Sequence, residues 1–441
     1  MPIPPKIQLA LGLYDWIWGA AMPLSRLNSR LRDGYGRRRN PEGLSAADVW
    51  IQAASAGEAY LALSLIENLN PPAPTHVLVT TNTRQGLDIL GKSIGDRAGS
   101  DHVTAACEFA PFDRPKLMDA AILRVRPKLM VLLETELWPG LLFAAKKHGV
   151  PVLLINGRLT PKSLGRYMMW PDLWKILGPD RILAISEEDA GRFAALFGRD
   201  RVEQMSNIKF DRLNTKINDR ENPLTALLSD SSPFLVLGSV RQPEEESVAR
   251  IIGAVRSKAP DAIIGLFPRH MHRISAWEQI LSRLNIPWIR RSDLNAVPAP
   301  PGHVILWDTF GELTSAYGLA RAVFVGGSLA PLGGQNFLEP MICGVTPIIG
   351  PSWENFAWAG RDIFDQGLAI RADDWQGVAE GLIAALRQSS PSDGRKAKAC
   401  RYIEGRKGGT RQACRVMEDL LAQPRPITSN PPEGNPHDAS S

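Results

Sequence analysis

The sequence predicts two doubly wound α/β domains in tandem. Three observations lead to that class. Apolar runs of strand length recur in two series, separated by a polar stretch at 211–232. The runs are apolar throughout rather than alternating, as parallel strands covered on both faces require. The length of 441 residues exceeds one ordinary core and suits two domains of about 200 residues each. An apolar content of 44% and a charged content of 22% are those of a water-soluble globular chain.

The first element is "IQLALGLYDWIWGAAMPL" (7–24), followed by "SRLNSRLRDGYGRRRN" (25–40) with Arg26, Arg30, Arg32, Arg37, Arg38 and Arg39. The apolar stretch is short for a bilayer span and contains Asp15 and Pro23. It lacks the cleavage pattern of a signal peptide. A Trp-bearing apolar helix followed by arginines suits an interfacial anchor on anionic lipid. A helix packed on the first domain, with a solvated basic linker after it, accounts for the same residues equally well. No aromatic-interleaved or helix-turn-helix pattern accompanies the arginines, so nucleic acid is not expected as a partner.

Residues 1–40 are expected to form a membrane-associated helix and basic linker. A first Rossmann-like domain is expected over 41–220, with strands at 49–53, 76–80, 128–133, 151–155, 181–185 and 202–206. A second is expected over 221–422, with strands at 234–239, 262–268, 303–307, 322–328 and 346–351. The tail 423–441 is rich in Pro, Ser and Asn and is expected to be disordered. Cys107, Cys343, Cys400 and Cys414 make no C-x-x-C pair, and the seven histidines make no H-E-x-x-H pattern. Neither disulfides, a metal nor a cofactor is expected, and a reducing compartment fits.

Ligands of doubly wound sheets bind beyond the carboxyl ends of the strands, so the strand-to-helix corners hold the candidates. Ser55-x-x-Glu58, Ser186-x-x-Asp189, Thr309-x-x-Glu312 and Asn336-x-x-Glu339 share one grammar. Each fits a helix cap. For Glu58 the alternative is the base of an active site. "FVGGSLAPLGGQNFLEP" (324–340) pairs glycines, whose backbone N–H groups can approach an anion, with a helix from Asn336. Glu339 on the same face suits ribose hydroxyls, which reads as a nucleotide-sugar site. It is not a G-x-x-x-x-G-K-[ST] loop, and no G-x-G-x-x-G follows the first strand. Arg269 in "FPRHMHR" is placed to fork onto phosphate, with His270 beside it. Lys209 in "SNIKFD" can neutralise a leaving phosphate. "LLETELWPG" sets Glu134 and Glu136 after an apolar strand, where either can orient a partner or carry dipole-stabilising charge.

Taken together, "ASAGE", "ETELWP", "NGRLT", "NIKFD", "FPRH", "DTFGEL", "FVGGSLAPLGGQNFLEP" and "GPSWENF" resemble the 3-deoxy-D-manno-octulosonic acid (Kdo) transferases of lipopolysaccharide synthesis. The resemblance runs in order from about residue 45 to 360. It implies a GT-B fold, two doubly wound Rossmann-like domains facing a cleft. It also implies inverting transfer of Kdo from CMP-Kdo to a lipid A precursor at the cytoplasmic face of the bacterial inner membrane. By the same resemblance Glu58 is the general base, and Glu134 and Lys209 stabilise the transition state. Pro268, Arg269, Phe310, Gly311, Glu312, Asn336, Phe337, Leu338 and Glu339 bind the donor. Three stretches depart from the family pattern. "ASAGE" stands for the usual "SVSVGE", Gln335 stands where His is common, and "GSVRQPEEE" (238–246) replaces S-T-H-x-G-E-E, placing Arg241 at the His position. A UDP-sugar transferase acting on another acceptor, and a non-catalytic membrane- or nucleic-acid-binding module, are the competing readings.

Overall fold

A computed structural model of the chain describes residues 3–27, 29–95, 102–215, 222–228, 232–294, 298–387 and 393–423. The chain divides into two compact units. The first comprises Met1–Arg212 with Lys407–Ser441, and the second Leu213–Arg406. The tail expected to be disordered, from residue 424 on, lies outside the described residues, as does part of the polar stretch before the second series.

Each unit is built on one sheet of seven strands, parallel throughout. In the first unit the strands are β1 Val49–Ala53, β2 Thr75–Thr81, β3 Val103–Phe109, β4 Leu129–Leu133, β5 Val152–Gly157, β6 Arg181–Ala184 and β7 Val202–Gln204. They lie in the order β3-β2-β1-β4-β5-β6-β7. In the second unit they are β8 Phe234–Val240, β9 Ile263–Pro268, β10 Trp288–Arg290, β11 Val304–Leu306, β12 Ala322–Val325, β13 Pro347–Ile349 and β14 Ile370–Arg371, in the order β10-β11-β9-β8-β12-β13-β14. The order reverses at β1/β4 in the first sheet and at β8/β12 in the second. Those switch points are where doubly wound sheets hold their ligands. The central strands β1, β4 and β5 are buried along their whole length, which is why they read as continuous apolar runs. Sequence reading passed over β3, β10 and β14. All three are at or near sheet edges and only partly buried or exposed, so their composition is mixed.

Two termini depart from expectation. The N-terminal helix, Pro5–Leu24, packs on the first unit through Ile7, Leu11, Asp15 and Met22, which are buried on one face. Asp15 is forked by Arg114 at 3.1 and 3.0 Å and accepts the Lys116 N–H. Those donors hold its carboxyl below the usual range against the opposing effect of burial. Tyr14 donates to the buried Asp113, whose carboxylate also accepts the Gly140 and Leu141 N–H groups at the start of the helix Pro139–Lys147. One face of the helix is thus a structural part of the unit, as the packed-helix alternative expects. Its other face is bare: Leu9, Leu13 and Trp16 are 78%, 59% and 69% exposed. Among the described residues no helix is long and apolar enough to cross a membrane.

The last helix, Gly409–Ala422, falls within the second domain as read from the sequence, yet it belongs to the first unit. Ala413, Cys414, Val416 and Met417 enter the core beside Leu61 and Leu65. Asp211 caps it, accepting from Gly408 N, Thr410 N and Thr410 Oγ1 at 2.6–2.7 Å. An amphipathic face must be buried somewhere, and sequence proximity does not say against which core.

Candidate active site

In the first unit the β1/β4 switch point gathers Glu58, Glu134, Glu136 and Lys209. Glu58 enters the helix Ala56–Asn68 that follows β1, with Ser55 as its N-cap. The Ser55 hydroxyl accepts the Glu58 N–H at 3.4 Å and donates to Glu58 Oε1 at 2.9 Å. The second oxygen accepts the Ala54 N–H at 2.7 Å. In a capping box that bond comes from the N-cap residue itself; here it comes one residue earlier, which draws the carboxylate back over the strand end. Cap and candidate base are one structure. The carboxyl is buried, and burial, then repulsion from Glu136 and Glu134, pushes it up to about 8, against the Ala54 and Ser55 hydrogen bonds. A carboxyl so placed can exchange a proton near neutral pH.

Glu134 occupies the left-handed region at φ 55°, a conformation that costs a non-glycine residue about 1–3 kcal/mol and clusters at functional sites. Its carboxylate takes a 2.5 Å ion pair from Lys209 Nζ, and its carbonyl accepts the Arg158 N–H. Glu136 accepts from Trp138 Nε1 at 2.5 Å, and burial raises its carboxyl further than that bond lowers it. Lys209 is set by Asn207 and by Asn156. The Asn207 side chain accepts the Lys209 N–H, and Asn156 Oδ1 accepts the Ile208 N–H at 3.0 Å from the end of β5. Asn156 is buried with φ 58°. Sequence reading quoted it within "NGRLT" without assigning it a part; a lone Asn after a strand gives no local sign of a partner 52 residues away.

In the second unit the glycine-rich segment differs from expectation. Three of its backbone N–H groups are already taken. Glu244, 1% exposed, accepts from Gly327, Ser328 and Leu329 N–H and from Arg241 N–H. Burial pushes this carboxyl up, and the four donors push back. Glycine is required here on two counts. A Cβ on Gly326 would lie 2.5 Å from Glu244 Oε1, and Gly327 has φ +68°. Gly327, Ser328 and Leu329 thus cradle the protein's own carboxylate. Nor does a helix start at Asn336. The helix runs Leu338–Ile342, five residues, too short to carry much dipole. Asn336 instead donates to Glu339 Oε1 at 2.7 Å. The signal that could have revealed Glu244 was present, in the paired glutamates that survive in "GSVRQPEEE".

The other candidates divide. Arg269 is exposed at the end of β9, and its charge draws down the carboxyl of Glu339, which burial raises. Phe310 is 82% exposed, and the adjacent Gly311 has φ +85°. Glu312 is fully engaged by Arg291, Trp307 Nε1 and Thr309 Oγ1, which lower its carboxyl against burial. It shapes the loop that presents Phe310. Pro268, Phe337 and Leu338 are buried, and Phe337 packs against Trp353, Phe356 and Phe364.

Residues 25–212 match the family profile of the 3-deoxy-D-manno-octulosonic-acid transferases (kdotransferases). A 3-deoxy-D-manno-octulosonic acid transferase of Bordetella pertussis is 31% identical over 94% of this chain and 97% of its own length. The chain belongs to the Kdo transferase family. A second such transferase, of Haemophilus influenzae, is 29% identical over 83% of this chain and 85% of its own. The crystal structure of a glycosyltransferase from Rickettsia africae aligns with a TM-score of 0.53 at 11% identity, over 85% of this chain and 99% of that one. That likeness concerns the fold, a pair of Rossmann-like domains. In this Kdo transferase the base candidate lies beyond β1 of the first sheet and the exposed Arg269 beyond β9 of the second.

Proposed function

We propose that the enzyme transfers Kdo from CMP-Kdo to a lipid A precursor by an inverting displacement, with Glu58 as the base. The observation that carries this reading is the buried carboxyl of Glu58, raised to about 8 between two further carboxylates. The acceptor hydroxyl attacks the anomeric carbon of Kdo, its proton passes to Glu58, and CMP leaves. Lys209, locked to Glu134, offers a cation at that carboxylate cluster. Donor binding falls to the second unit. There Arg269 takes the phosphate and Glu339 accepts from the ribose, with Phe310 exposed for the base to stack on and the Asn336–Leu338 backbone beside it. The first unit takes the acceptor. Incubation with CMP-Kdo and a tetraacylated lipid A precursor, read by mass spectrometry, tests the reading; a mass increase of one or more Kdo residues is expected, and an unchanged acceptor overturns it. CMP should raise the melting temperature and UDP should not; protection by UDP alone would favour a UDP-sugar transferase.

The displacement needs only the groups named, and the sequence has no D-x-D cluster in its second domain. Turnover is expected to be the same after chelation and after added magnesium. A loss on chelation that magnesium restores would assign a metal to the reaction.

The bare face of the N-terminal helix supplies the membrane contact in this reading. Leu9, Leu13 and Trp16 lie opposite the buried Ile7, Leu11 and Asp15, and Arg26, Arg37 and Arg39 follow in sequence for an anionic headgroup. The triple change Leu9→Ser, Leu13→Ser, Trp16→Ser is expected to release the protein from anionic vesicles with little change in melting, since these side chains are mostly exposed. Deleting residues 1–24 is expected to lower the melting temperature as well, because Asp113 and Arg114 lose Tyr14 and Asp15. Undiminished vesicle binding by the triple variant would remove the helix from the membrane contact.

A further inference from the structure

Arg241 stands at the end of β8, the central strand of the second sheet beside its switch point. Its backbone is held from both sides, with its N–H on Glu244 Oε1 at 2.9 Å and its carbonyl accepting the Glu244 N–H. Its side chain is half-buried and lies along the glycine loop; a Cβ on Gly327 would sit 3.5 Å from Arg241 Cδ. Among the described residues its guanidinium has no hydrogen-bond or ion-pair partner. Neither has that of Arg269, whose N–H donates to Val240 O, the residue before Arg241. Desolvation lowers the pKa of His270, and nearby His272, Arg241 and Arg269 lower it further. The Glu244 carboxylate that could have neutralised Arg241 is instead spent on four backbone N–H groups.

Two arginines at neighbouring strand ends, neither of them in an ion pair among the described residues and only Arg269 felt by a carboxyl, that of Glu339, make a site for a ligand with two adjacent anions. The reading above supplies one. In a sugar that is a 2-keto acid, the anomeric carbon carries the phosphate ester and the carboxylate side by side. We propose that Arg241 binds the sugar carboxylate of the donor while Arg269 binds its phosphate. This rests on the donor reading given above and adds to it the residue that tells an acidic sugar from a neutral one. It also gives the arginine at the family's His position a part, as a fork matched to a planar carboxylate.

The test compares the full-length enzyme with Arg241→Gln and Arg269→Ala variants, by calorimetry with CMP and with CMP-Kdo. Arg241→Gln is expected to leave CMP affinity within about twofold and to weaken CMP-Kdo roughly tenfold or more. Arg269→Ala is expected to weaken both ligands. Equal weakening of CMP and CMP-Kdo by Arg241→Gln would make Arg241 a phosphate residue and overturn the assignment, as would no change in either. Failure of the unaltered enzyme to bind CMP-Kdo would be a different result, refuting the donor reading itself. An Arg241→Lys variant that regains part of the CMP-Kdo affinity would support the fork, since it keeps the charge and loses the bidentate geometry.

Discussion

Glu58→Gln is expected to lower turnover by roughly 10²–10⁴, the usual share of a general base, while leaving the fold and CMP affinity in place. The amide keeps the local geometry. Its oxygen accepts the Ala54 N–H, and its NH₂ group can donate to the Ser55 hydroxyl, which turns round. What it cannot do is take a proton from the attacking hydroxyl. The pH dependence separates this from a capping role. A base held at about 8 gives a rate that climbs with pH through that value, because only the ionised form is competent. Stability runs the other way. The native carboxyl holds its proton more tightly than the unfolded one, whose ordinary value is 4.5. Stability from the neutral form is therefore fully present below pH 4.5 and is lost as pH rises through about 8. Glu58→Gln does not titrate, so its melting temperature relative to the parent should improve steadily between pH 5 and pH 9. A Gln variant with near-normal turnover would falsify the base assignment and leave Glu58 as a cap alone.

The second large effect is expected at Glu244. Replacing it with Ala strips four backbone N–H groups of their acceptor at once. Each orphaned buried donor costs about 1–3 kcal/mol, so with water rescuing half of them the loss is on the order of 2–6 kcal/mol. Because Glu244 ties Arg241, at the end of β8, to the glycine loop that leads to Asn336, donor affinity should fall with it, beyond what lowered stability explains. Glu244→Gln should be intermediate. Its single oxygen can serve at most two of the donors, and its NH₂ group faces the rest. Chemical denaturation of the two variants and CMP titration below their melting range check both parts. An Ala variant that unfolds and binds CMP like the parent would mean the cradle holds its shape without the carboxylate.

Both effects were partly visible in the chain. Glu58 could be singled out because Ser55 and its helix lie next to it, and a capping pattern is written in consecutive residues. Which bond the carboxylate makes was not, since the Ala54 N–H replaces the expected donor only once β1 ends where it does. The glycine segment was recognisable as a site, but its acceptor comes from 83 residues earlier, so its N–H groups looked open to an anion. The same distance effect hid Asn156. Arg269 and Phe310, exposed at the end of β9 and on the loop after Trp307, were the residues that local order served best.

What the sequence by itself determined are the features that depend on neighbours along the chain. These are the buried parallel strands, marked by unbroken apolar runs, and the corners after them, marked by small residues and capping pairs. Tertiary structure alone decided the rest. It joined Lys209 to Glu134 across 75 positions, and it packed the helix Gly409–Ala422 on the first core instead of the second. It laid one face of the N-terminal helix on Arg114 and left the other bare. It also raised Glu58, because a carboxyl's proton affinity depends on the water it loses and the charges brought near it, and both are set by which strands lie side by side.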